Sequence, residues 1–75
     1  MSELRAQFGK RLRYLRRQRN LTQEQLAEAA GISVDMLSNI ERGINAPSFE
    51  TIERLVKAFN VLPKDLFCFD DEYLC

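Results

Sequence analysis

The 75-residue chain has no histidine and only two cysteines, Cys68 and Cys75. That pair cannot make a usual structural zinc site, which draws four ligands from cysteine and histidine. The missing histidine also removes the commonest general base, and the sequence offers no plausible nucleophile–base pair. There is no glycine-rich phosphate loop, and so short a chain leaves no second domain to wall a substrate pocket. The inventory therefore excludes an enzyme and implies no cofactor and no metal. No apolar run approaches the roughly 20 residues of a membrane span, and the charged start is no signal peptide. This points to the cytoplasm, where the two cysteines are expected as reduced thiols rather than a disulfide. Repeats, linkers and low-complexity segments are absent as well.

What remains is the composition of one small domain over residues 1–75, with little stability to spare. The hydrophobic content of 45% suits a globular chain and gives no support to disorder or a coiled coil. The net charge is zero, but the signs are segregated. Residues 1–19 hold seven basic side chains and one acidic, whereas residues 20–43 hold Arg42 against Glu24, Glu28, Asp35 and Glu41. The last segment, 63–75, is acidic again. A basic start beside acidic segments is compatible with a nucleic-acid surface on one side of the molecule.

Hydrophobic spacing predicts helices throughout. Ser2 can cap a first helix whose Leu4, Phe8, Leu12 and Leu15 share a face. Its other faces carry Arg5, Lys10, Arg11, Arg13, Arg17 and Arg19, all candidates for phosphate contacts, and Asn20 suits its end. Thr22 and Gln25 form a capping box for a second helix, with Leu21 and Leu26 as a hydrophobic staple. Gly31 supplies its left-handed end, and Ser33 caps a third helix at once, stapled by Ile32 and Leu37. In that helix Leu37 and Ile40 face inward, leaving Val34, Asp35, Ser38 and Asn39 outward. After the Ile44–Pro47 loop, Ser48 caps a fourth helix with an inward stripe of Phe49, Ile52, Leu55, Val56 and Phe59. These aromatics read as core rather than a base-stacking platform. Asn60 closes that helix, and Pro63 opens a short fifth carrying Leu66 and Phe67.

Two short helices joined by a glycine turn are the helix-turn-helix arrangement, whose second helix fits a major groove. The runs LTQEQLAEAAGIS, LSNIERG and APS resemble the lambda repressor and Cro type of helix-turn-helix domain, the xenobiotic-response-element family of small bacterial and phage regulators. The resemblance spans roughly Phe8 to Phe67, with its helix-turn-helix core at about 22–43. It implies an all-α, five-helix lambda-repressor-like bundle and a regulator of transcription, with double-stranded DNA as partner. It further implies an ion pair between Arg16 and Glu41, tying the first helix to the end of the recognition helix.

The expected division of labour places Gln23, Ser33 and Arg42 on phosphates, which orient the protein without carrying sequence information. The resembled family uses the glutamine matching Gln23 in this way. Base reading falls to Val34, Asp35, Ser38 and Asn39, with Met36 at the margin. The family often has a glutamine at the Val34 position to read adenine. Valine cannot do so, but it can pack on a thymine methyl. Asp35 either accepts from a cytosine amino group or serves only the helix dipole.

Selectivity from one short helix is small, so a homodimer on a palindromic operator is expected, with repression as its outcome. Leu62, Phe67, Phe69, Tyr73 and Leu74, in a tail over 61–75, are the candidate dimer interface, unless the tail folds over its own core. The rival expectation is an interaction adaptor of antitoxin or bridging type, whose helices meet a second protein.

Overall fold

Each helix starts and stops where its residues make the change of conformation cheap. The computed structural model describes residues 3–69, and among the described residues there are five α-helices and no strand. They are α1 (Glu3–Gln18), α2 (Gln23–Ala30), α3 (Val34–Glu41), α4 (Phe49–Phe59) and α5 (Pro63–Leu66). Asn20 and Asn60 take the left-handed conformation that ends α1 and α4, at φ 57° and 59°. The Thr22 hydroxyl accepts from the Gln25 amide while the Gln25 side chain accepts from the Thr22 amide, which completes the expected capping box. Ser33 and Ser48 accept from Met36 and Thr51 in the same way. At α5 the Asp65 carboxylate accepts from the Leu62 amide at 3.0 Å.

The core forms where these helices meet. Phe8, Leu12 and Leu15 of α1 bury against Leu37 and Ile40 of α3, with Leu26, Ala27 and Ala30 of α2 beneath. Leu55 and Phe59 of α4 and Leu66 of α5 complete the cluster. Leu21 and Ile32 pack at its edge, as the two staples require. A buried leucine contributes about 1.5–3 kcal/mol. Six of the largest aliphatic side chains are wholly out of water, so the core can hold together a chain this short.

Three expectations need correction. Phe49 is 90% exposed, because the first position of a capped helix projects past the end of the core. Thr51 takes the inward place instead, its hydroxyl accepting from Ser48. Leu4 is 59% exposed for the corresponding reason at the other end, since α1 begins before the layer of α3. Cys68 is not a thiol but is disulfide-bonded. A disulfide depends on which sulfurs the fold brings together, which a compartment does not decide, and Cys75 lies outside the described residues.

Several basic side chains prove to be ties between helices. Arg5 donates to the Ile44 carbonyl at 3.0 Å and Arg11 to the Asp65 carbonyl at 2.8 Å. Arg19 stacks over the Phe59 ring and donates to its carbonyl, and Arg54 donates to the Gly31 carbonyl at the end of α2. Beyond α5, Phe67 lies on Phe8 with ring centroids 5.2 Å apart, and Phe69 stacks edge-on against Phe67.

Candidate nucleic-acid interface

The corner between α2 and α3 is one residue at positive φ, Gly31 at 74°, followed by the Ser33 cap. Only a residue without a Cβ enters that conformation freely. Gln23 is the first residue of α2 and Val34 the first of α3. In each helix the cap occupies the amide at the third position, so the first two amides stay free for an anion.

On α3, Leu37 and Ile40 are buried, and Ser33, Val34, Asp35 and Met36 are exposed. Met36 is 41% exposed. Ser38 and Asn39 are half-buried along the same outward stripe, and Arg42 follows them, exposed, at the helix end. Among the described residues, the side chains of Asp35, Ser38, Asn39 and Arg42 make no hydrogen bond. Each keeps its full capacity for a base edge or phosphate, the requirement for direct readout.

Glu41 sits behind this face. Its carboxylate is buried and takes two bonds from Arg16, Nε to Oε2 at 2.7 Å and Nη2 to Oε1 at 3.1 Å. The remaining Arg16 nitrogen donates to the Leu21 carbonyl at 2.8 Å, so the guanidinium spans α1, the α1–α2 turn and the end of α3. Gln23 also donates to Glu41, Nε2 to Oε1 at 3.0 Å. Sequence reasoning sent Gln23 only to a phosphate and missed this bond, which joins residues 18 positions apart and leaves no periodic signal.

A further closure escaped the sequence. At Gly9 a Cβ would stand 2.5 Å from the Ile40 carbonyl oxygen and 2.6 Å from that of Glu41. The backbone of α1 therefore rests directly on the carboxyl end of α3, which fixes the angle at which α3 is presented. The candidate interface residues of the tail divide. Leu62 is exposed, Phe67 and Phe69 lie half-buried against the core, and Tyr73 and Leu74 lie outside the described residues.

The Helix-turn-helix family model matches residues 12–66. The chain belongs to the helix-turn-helix family of transcriptional regulators. Members of this family bind double-stranded DNA and are not enzymes. One helix-turn-helix relative, the transcriptional regulator DdrOP3 of Deinococcus deserti, is 45% identical over 56 residues, which are 75% of this chain and 43% of that protein. Control protein C.BamHI of Bacillus amyloliquefaciens is 38% identical over 69 residues, 91% of this chain and 85% of its own length. Among solved helix-turn-helix structures, the restriction-modification controller protein C.AhdI of Aeromonas hydrophila superposes with a TM-score of 0.81 at 37% identity. That match covers 83% of this chain and 94% of the controller. Among the described residues no helix is long and apolar enough to cross a membrane.

Proposed function

We propose that this regulator reads a palindromic operator as a homodimer, with α3 of each copy in the major groove of one half-site and repression by occupancy as the outcome. The observation that supports it most is the unspent polar stripe of α3, standing in front of a frame that fixes the helix at its carboxyl end. Val34 packs on a thymine methyl, Asp35 accepts from a cytosine amino group, and Asn39 pairs with adenine. Ser38 and Met36 flank these contacts, while Gln23, Ser33 and Arg42 hold the backbone on either side. Gln23 can do so while bonded to Glu41, since its amide nitrogen carries a second hydrogen.

Site selection from random duplexes supplies the operator for the test. Asn39→Ala and Val34→Ala should then each weaken binding to the selected site by about 1–3 kcal/mol and leave random DNA nearly unaffected. Gln23→Ala should weaken both alike, because phosphates are the same in every sequence. Proportional losses on both DNAs for Asn39→Ala would remove α3 from base reading. A flat salt dependence in the wild type would instead favour the protein-adaptor alternative.

Dimerisation answers the small footprint of one helix, and two half-sites about one turn apart call for two copies. Of the candidate interface residues described, Leu62 is the one that stands exposed, at 59%, at the start of α5. Leu62→Asp touches no core residue and should raise the dimer dissociation constant at least tenfold, as read by sedimentation. An unchanged mass distribution would exclude this face.

A further inference from the structure

We propose that Arg13, on α1 and outside the helix-turn-helix, grips a DNA phosphate together with Gln23. This rests on the DNA-binding reading above. Of the seven basic residues in 1–19, Arg5, Arg11 and Arg19 are bonded to backbone carbonyls and Arg16 is buried on Glu41. Lys10, Arg13 and Arg17 remain, and they line the outward face of α1 with Tyr14 and Gln18. Only Arg13 of these three reaches the Glu41 site, with Nε 3.9 Å from Oε1.

That oxygen already accepts from Arg16 at 3.1 Å and from Gln23 at 3.0 Å, and Oε2 is held by Arg16 at 2.7 Å. Oε1, the oxygen nearest Arg13, thus already takes two bonds, and Arg13 lies beside it at 3.9 Å without forming a hydrogen bond. One carboxylate between two guanidinium groups leaves one positive charge over. Since Arg16 is buried, the surplus appears at Arg13, whose side chain is 41% exposed. Arg13 Nε and Gln23 Nε2 share an oxygen at 3.9 and 3.0 Å, so the two nitrogens are no farther apart than the sum of those distances. A phosphate oxygen pair can span such a gap with a charge-assisted bond at one end and an amide bond at the other. Glu41 thereby keeps the Gln23 amide beside an Arg13 whose charge is not fully neutralised, and α1 joins α2 in seating the backbone.

The test uses the full chain, a labelled random-sequence duplex and fluorescence anisotropy from about 50 to 200 mM salt. Arg13→Ala should lower the slope of log K against log salt by about 0.9, the value of one phosphate contact. Arg13→Lys should keep the slope, and Lys10→Ala should keep it too. Arg13→Ala and Gln23→Ala combined should lose less affinity than the product of the single losses, because they share one phosphate. An unchanged slope in Arg13→Ala beside a steep wild-type slope would overturn the assignment alone. So would an equal drop in Lys10→Ala, which would show a diffuse field, or fully independent losses in the double variant. A flat wild-type slope would overturn the DNA reading itself, and Arg13 with it.

Discussion

Glu41→Ala should lower the free energy of unfolding by about 3–5 kcal/mol, the range for removing one partner of a buried ion pair. A domain of this length holds only about 4–11 kcal/mol in all, so the change should remove a large share of its stability. The cause is the group left behind. Arg16 is 9% exposed and would keep its charge with only the Leu21 carbonyl as partner, and Gln23 would lose its acceptor as well. Arg16→Ala should be similarly costly, because it strands the carboxylate, whereas Arg17→Ala on the exposed face should be nearly neutral. Replacing both partners together, Arg16→Met with Glu41→Leu, should cost far less than Glu41→Ala, since no buried charge remains unpaired. Urea melts of the set decide the matter. If Glu41→Ala and wild type shared a midpoint, the network would be incidental to stability.

Gly9→Ala should destabilise the protein by about 1–3 kcal/mol, the range for overpacking a close contact. In an isolated helix the same change would stabilise by about 1 kcal/mol, since alanine is the better helix former. The sign reverses here because the added carbon meets two backbone carbonyl oxygens, at 2.5 and 2.6 Å, and a backbone cannot swing aside as a side chain can. Relief requires α1 and the end of α3 to part, which would strain the Arg16–Glu41 bonds at the same junction. Gly9→Ala should therefore also weaken DNA binding beyond what its lower stability explains. Thermal melts and duplex titration below the melting range measure the two effects. A variant as stable as wild type would mean that the approach of α1 to α3 is looser than its geometry.

Much of this fold was legible from local chemistry. The capping box at Thr22, the serine caps at Ser33 and Ser48, and the left-handed ends at Asn20, Gly31 and Asn60 each depend on residues within one turn of each other. Periodicity placed most of the core correctly, because a repeat of 3.6 residues appears in any window of a helix. It failed at Leu4 and Phe49 because it cannot tell where along a helix its partner begins or ends.

The sequence by itself determined five helices, their order, their boundaries and the outward stripe of α3, since these follow from contacts between near neighbours. It also carried enough of the helix-turn-helix pattern to point to the family. Only the tertiary structure decided how the charges are spent. Arg5, Arg11, Arg16 and Arg19 look alike along the chain, yet they end on a loop carbonyl, a carbonyl of α5, a buried carboxylate and an aromatic ring. The need for glycine at position 9 and the bond from Gln23 to Glu41 were settled in the same way. In each case the partner lies many residues away, and an arginine, a glycine or a glutamine carries no mark of its partner until the helices have packed.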